Sequence, residues 1–202
     1  MPRSRAAKTL AGVERAAKRC RACPLWEKAT QTVFGEGPAK ARIFFIGEQA
    51  GDNEDREGVP FVGPAGRLLD QALAEAGVAR DSVYVTNVIK HFKFELRGKR
   101  RLHKRANAAE IEACAQWLQR ELDIVRPHYV VCLGAVAARL MLGNAFRLSK
   151  QRGEWIALNE RQWCMATVHP AFVLRSRLGD DAANVHRQFV CDLRQLTRLP
   201  DG

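Results

Sequence analysis

Residues 129–142 read YVVCLGAVAARLML, from Tyr129 to Leu142, and this stretch decides the fold. Tyr129–Leu133 is an apolar run with no polar alternate, the pattern of a strand buried on both faces. Gly134 then punctuates the chain, and Gly134–Leu142 (GAVAARLML) has the composition of a crossover helix. A short, fully apolar strand feeding directly into a helix is one unit of a parallel α/β sheet. Three more strands of the same kind flank it: Arg42–Ile46 (RIFFI), which ends in Gly47, Ser82–Thr86 (SVYVT), and Trp163–Val168 (WCMATV). Between and beyond them, helices are expected at Ala6–Lys18, Ala65–Ala76, Ala108–Leu122 and Asn184–Leu196. The expectation is an α/β fold, a three-layer α/β/α sandwich around a central four-stranded parallel sheet. Glu48–Pro64 is read as a polar loop. Lys90–Arg105 is read as a second loop, because it carries eight Lys or Arg residues, Gly98 and no helical stripe.

The chain has 202 residues, enough for one such domain and too few for two, and no repeat or linker divides 1–202. Lys+Arg minus Asp+Glu is 33 − 22 = +11. That excess favours a polyanionic partner through counterion release, though a solvated basic surface has the same balance. No apolar run is long enough for a bilayer. Met1–Arg19 is basic without the apolar centre of a signal peptide, so a cytosolic monomer with reduced thiols is expected. The six cysteines are then free or metal-bound. Cys20-x-x-Cys23 has metal-ligand spacing, and Cys114 is a third candidate. Cys132, Cys164 and Cys191 are read as core.

Ligands of open parallel sheets bind outside the carboxyl ends of the strands. Just past the predicted strands come Glu48, Gln49, Asp52 and Asp55, then Asn87, then Gly134 and Ala135, then His169 and Pro170. One such residue alone is usually structural; several on separate strands make a site. An amide such as Asn87 matches the polar edge of a pyrimidine, an aromatic such as Phe61 its face, and a histidine a carbonyl gaining charge. Phe61 within Pro60-Phe61-Val62 also reads as core. Gly63-Pro64-Ala65-Gly66 opens a helix whose N–H groups suit a phosphate.

Gly47-Glu48-Gln49-Ala50-Gly51-Asp52, continued by Gly58-Val59-Pro60-Phe61-Val62-Gly63-Pro64-Ala65-Gly66, resembles the first motif of the family 4 uracil-DNA glycosylases. Thr86-Asn87-Val88-Ile89-Lys90 resembles the Asn motif of that family, and His169-Pro170 its last motif. The acidic run through Gly58 and the insertion Gly98-Lys99-Arg100-Arg101-Leu102-His103-Lys104 resemble the UdgX branch. In that branch the loop histidine becomes attached to the sugar once uracil leaves. Ala50 stands where the family usually has Pro. Ala171 stands where many members have Ser, so a hydroxyl for phosphate is missing there.

The resemblance implies uracil-containing DNA as the partner, single-stranded DNA included. It implies His103 as nucleophile, with Glu48, Asp52 and Asp55 around the sugar and His169 steadying the departing uracil. Gln49, Phe61 and Asn87 would hold the base. Lys99, Arg100, Arg101, Lys104 and Arg105 would meet the DNA. It also implies a [4Fe–4S] cluster on Cys20, Cys23, His91 and Cys114, with His91 standing where the family has cysteine. Two alternatives remain open on the residues: an ordinary turnover glycosylase in which His103 contacts phosphate, and an iron–sulfur nucleic-acid binding module without catalysis.

Overall fold

The computed structural model describes residues 9–176 and 182–199. In chain order the elements are α1 (Leu10–Ala17), β1 (Ile43–Gln49), α2 (Asp52–Glu57), α3 (Pro64–Ala76), β2 (Tyr84–Ile89), β3 (Phe94–Arg97), β4 (Arg100–His103) and α4 (Ala108–Val125). They continue with β5 (Tyr129–Leu133), α5 (Ala135–Leu142), α6 (Leu148–Gln151), β6 (Trp155–Asn159), β7 (Gln162–Thr167), α7 (Pro170–Ser176) and α8 (Ala182–Arg194). The predicted first helix began at Ala6; residues 6–8 lie outside the described residues, and the helix observed starts at Leu10.

The sheet has five strands in the order β2-β1-β5-β7-β6. The four predicted strands are its parallel members, so the class holds and the strand count is corrected by one. The addition is β6, which pairs antiparallel with β7 through a tight connection at Glu160-Arg161. Antiparallel neighbours need only such a hairpin, whereas the parallel ones need crossovers.

Period-two alternation sorts the strand residues onto two cores. Phe44, Ile46, Tyr84, Val130 and Cys132 face α1, α4 and α5, where Val13, Ala17, Trp117, Leu118, Leu122, Ala137 and Ala138 meet them. Phe45, Val85, Val131, Leu133 and Met165 face α3, α7 and α8, where Leu69, Leu73, Val173, Phe189 and Leu193 meet them. Burying each such large side chain contributes about 1.5–3 kcal/mol. Cys132 and Cys164 are core as expected, but Cys191 is exposed on the outer face of α8.

Two stretches read as loops are structured. Asp52–Glu57 forms α2, ended by Gly58 in the left-handed region (φ 78°). The basic stretch contains an antiparallel hairpin of β3 and β4, with Phe94 opposite His103 and Leu96 opposite Arg101. Its two-residue turn is Gly98-Lys99, and the positive φ of Gly98 (60°) suits the first position of such a turn. Most positions of the two strands are exposed, so no hydrophobic alternation marks them in the sequence. No helix among the described residues is long and apolar enough to cross a membrane.

Candidate active site

The carboxyl ends of β1, β2, β4 and β7 open into one cavity of about 760 Å³. Glu48 and Gln49 come from β1, Asn87 from β2, His103 from the end of β4, and His169 from just past β7. Phe61, Lys104 and Arg105 also line it. The structure therefore brings together eight of the predicted residues, Glu48 and His169 at the extremes being 169 − 48 = 121 positions apart.

Backbone sterics explain the first motif. A Cβ at Gly47 would lie 2.3 Å from Asn87 Oδ1 and 2.7 Å from Phe61 Cζ, so only glycine leaves room for the amide and the ring. Phe61 has a positive φ (59°), rare for a bulky residue, and its carbonyl lies where a Cβ on Gly66 would sit. Phe61 is thus both buried core and cavity wall. Asn87 is buried, and no protein partner for its side-chain amide is found among the described residues.

His169 is fixed in one tautomer. Its Nδ1 accepts a hydrogen bond from the Ala171 N–H at 3.1 Å, so a neutral ring carries its proton on Nε2. Burial, then the positive Arg175 and the neighbouring His103, push its pKa down to about 4. At neutral pH the ring is therefore an uncharged donor lining the cavity, 6.4 Å from the Phe61 ring.

His103 is held by Gln49. Gln49 Nε2 lies 2.6 Å from His103 Nε2, 2.9 Å from the Lys104 carbonyl and 3.4 Å from the Lys93 carbonyl. The two carbonyls accept only, so they fix the Gln49 NH2 on that side, and His103 Nε2 is an acceptor with a lone pair. Burial lowers the His103 pKa below 6.5; Glu48 opposes that, and Arg175 and Arg105 reinforce it. The ring is neutral at pH 7, with the lone pair of Nε2 shared with an amide. Gln49 Oε1 is buried without a partner.

Asp52 and Asp55 do not line the cavity. Their carboxylates bind Arg101, with Arg101 Nη1 2.6 Å from Asp55 Oδ2 and Nε against Asp52 Oδ1. Asp55 also accepts from the Thr30 N–H at 3.0 Å. Burial raises the Asp52 pKa, but Arg56 and Arg101 outweigh it and the net shift is downward. The Arg101 guanidinium lies over the rings of Phe94 (4.9 Å) and Phe92 (5.5 Å). These three residues clamp the β3–β4 hairpin to α2; the two aspartates, expected at the sugar, and Arg101, expected at DNA, lie outside the cavity lining. Lys99 and Arg100 are exposed at the hairpin tip, apart from the cavity.

Two cavity residues escaped the sequence reading. Glu54 accepts from the Gly63 N–H at 2.7 Å and from the Gly51 N–H at 3.0 Å, tying the two limbs of the first motif together. At the helix start whose N–H groups suit a phosphate, the Gly63 N–H is thereby occupied. Arg175 closes α7 and faces the cavity.

The cysteines lie elsewhere, on the α1–α4 side. Cys20, Cys23 and Cys114 interact electrostatically with one another, and burial raises the pKa of Cys114 to about 11. Cys114 Sγ accepts from the Lys90 N–H at 3.3 Å. His91 Nε2 is engaged by Thr32 Oγ1 at 3.0 Å. Among the described residues no three such side chains converge to metal-binding distance. The donor chemistry of three neighbouring thiols suits an iron–sulfur cluster, but the ligand set is not drawn together as a finished site.

Residues 34–194 match the family model for the uracil DNA glycosylase superfamily. A type-4 uracil-DNA glycosylase of Thermotoga maritima is 36% identical over 164 residues, 81% of this chain and 82% of the relative. One from Archaeoglobus fulgidus is 38% identical over 165 residues, 77% of this chain and 78% of the relative. A DNA polymerase of Bacillus phage SP01 is 27% identical over 83% of this chain, which corresponds to 17% of that protein. Together with the β-strand ends that gather Glu48, Asn87 and His169, these matches establish that the chain belongs to the uracil DNA glycosylase superfamily.

Proposed function

We propose that the protein excises uracil from DNA and then traps itself on the product, as the UdgX resemblance implies. The observation that carries this reading is the cavity in which a buried Asn87 amide with no partner among the described residues, a Phe61 ring, a neutral His169 donor and a neutral His103 lone pair converge. Asn87 would donate to one uracil carbonyl and accept from the ring N–H, a pattern cytosine cannot match. Phe61 would stack on the base.

In the reaction the C1′–N1 bond breaks and its electron pair leaves with uracil. His169 Nε2–H stabilises the resulting anion, at a point where the barrier is highest. The sugar is left as an oxocarbenium ion. His103 Nε2 exchanges its Gln49 hydrogen bond for a bond to C1′, donating its lone pair. The imidazole, now substituted on Nε2, is positive and sheds the Nδ1 proton, for which Glu48, whose charge acts on His103 and which lines the same cavity, is the proposed acceptor. The carbon–nitrogen bond is stable, so each molecule reacts once. Asp52, Asp55 and Arg101 serve this step by holding the hairpin that carries His103. Lys104 and Arg105, at the cavity wall, suit the flanking phosphates.

The test of the excision itself is an oligonucleotide with a single uracil, assayed for free uracil and for alkali-labile sites. Uracil release, with none of the corresponding base from matched cytosine or thymine strands, is expected. Release of no base contradicts the reading. The depressed His103 pKa adds a pH prediction. Protonation removes the nucleophile's lone pair, and burial places that event below pH 6.5. Adduct formation in single turnover is therefore level from about pH 8 to about 6.5 and falls below that. A decline that begins above pH 7 contradicts it.

We also propose that Cys20, Cys23 and Cys114, with His91, hold a [4Fe–4S] cluster that fastens α1 and the base of the hairpin to α4. When bound, such a cluster supplies a structural clamp and takes no part in glycosidic chemistry. Purified protein is expected to be brown with about four irons per chain. A colourless preparation with stoichiometric zinc contradicts the assignment.

A further inference from the structure

Behind the cavity, on the side of the sheet facing α4, a lysine and a glutamate are completely buried. Lys90 and Glu121 are both 0% exposed, and Lys90 Nζ lies 2.5 Å from Glu121 Oε2. All three ammonium protons have acceptors: Glu121 Oε2, Thr86 Oγ1 at 2.6 Å and the Asn87 carbonyl at 2.8 Å. The carboxylate is equally satisfied, accepting from the Thr86 hydroxyl (3.0 Å), the Tyr84 hydroxyl (3.0 Å) and the Gly35 N–H (3.0 Å). Removing two charges from water costs several kcal/mol per ion, and apolar side chains of similar volume usually give equal or better stability. Stability alone therefore does not account for this pair.

Its geometry does. The Asn87 carbonyl belongs to the same residue whose side-chain amide lines the cavity. The parallel ladder gives β2 its position relative to β1, with Gly47 opposite Asn87. It leaves the tilt of the Asn87 peptide about the strand axis to other contacts, and the Lys90 ammonium is one. The Asn87 amide has little freedom to absorb error, since its Oδ1 would lie 2.3 Å from a Cβ on Gly47. Lys90 also donates its own N–H to Cys114 Sγ. Cys114 and Glu121 are seven residues apart on α4, two turns on one face. Lys90 thus joins the uracil side of β2 to the thiol-bearing helix at both of its hydrogen-bonding ends.

We propose that Lys90 and Glu121 are positioning residues for Asn87, fixing through the Asn87 carbonyl the aim of the amide that reads the base. The inference rests on the assignment of Asn87 as the reader. The pair touches no substrate and acts only through Asn87, which makes the idea separable from a general packing role.

The test is the paired change Lys90→Met with Glu121→Gln. It removes both charges at once and keeps an acceptor for Gly35 and Tyr84, so no uncompensated buried charge is left. The expected result is a folded protein whose uracil excision falls at least about tenfold, mainly in the single-turnover rate at saturating DNA, with narrowed preference for uracil over cytosine. In an Asn87→Ala background the same change is expected to add almost nothing, because positions that act through one group are not additive. Thr86→Val, which keeps every charge and removes one of the three Lys90 acceptors, is the milder companion should the paired variant not fold. A smaller loss of about threefold, again absent in the Asn87→Ala background, is expected from it. Wild-type rate and selectivity in a folded variant overturn the proposal. So does an equal loss with and without Asn87, which marks a merely structural pair. If Asn87→Ala itself leaves uracil excision unchanged, the reader assignment fails first; if it abolishes excision while the pair variant is fully active, only the positioning role fails.

Discussion

Changing His103 to serine is expected to end covalent attachment and to leave a protein that releases uracil over many turnovers. Among the described residues at the cavity, the His103 imidazole presents a nitrogen lone pair, oriented by Gln49, that suits the proposed attack. Serine is shorter and leaves a volume that admits water. Glu48 lines the same cavity and is suited to act as general base for that water, a role worth about 10²–10⁴-fold in rate. Adduct on a denaturing gel should fall at least about a hundredfold, while uracil release continues beyond one equivalent. Persistent adduct in His103→Ser means that another residue is the nucleophile.

Changing His169 to alanine is expected to slow excision by about 10²–10³-fold. The ring is an aimed donor rather than a charge: Ala171 occupies Nδ1, and burial with Arg175 holds the pKa near 4. A preorganised donor aimed at developing negative charge is worth about 2.7–4 kcal/mol, because it need not reorganise in the transition state. The loss belongs to the bond-breaking step, so single-turnover rate should fall while DNA affinity changes little. The His169 contribution should also be constant from about pH 5 upward, since a group neutral above 4 does not titrate there. A loss under tenfold, or a His169-dependent pH limb near neutrality, contradicts this role.

The parts of this site that were legible in the sequence are those encoded by short-range patterns. Apolar runs gave the four parallel strands, and strand ends placed Glu48, Asn87 and His169 at one rim. Motif glycines were visible but their reasons were not. Gly47 is required by Asn87 and Phe61, residues 40 and 14 positions away. The hairpin was missed because its outward Glu95, Arg97 and Arg100 dominate the composition of the segment. The clamp was missed because Arg101 meets Asp52 and Asp55 only through the fold, 46–49 residues away. Near the strand ends an aspartate reads as catalytic, and its ion-pair partner becomes visible only in the fold. β6 was missed since an edge strand in a hairpin needs no crossover helix to announce it.

Fold and chemistry meet at the hairpin. The parallel sheet supplies a rigid rim of Glu48, Asn87 and His169, which in the proposed reaction binds the base and assists its departure. The hairpin, fixed by Arg101 and latched by Gln49, brings to that rim the His103 imidazole proposed as nucleophile. The most direct test mixes the protein with a uracil-containing oligonucleotide, denatures the mixture in hot detergent, and resolves it on a gel beside His103→Ala. The account predicts a slower band that requires both uracil and His103. An abasic strand with no shifted band contradicts self-trapping and leaves an ordinary glycosylase, and intact DNA in both lanes contradicts excision altogether.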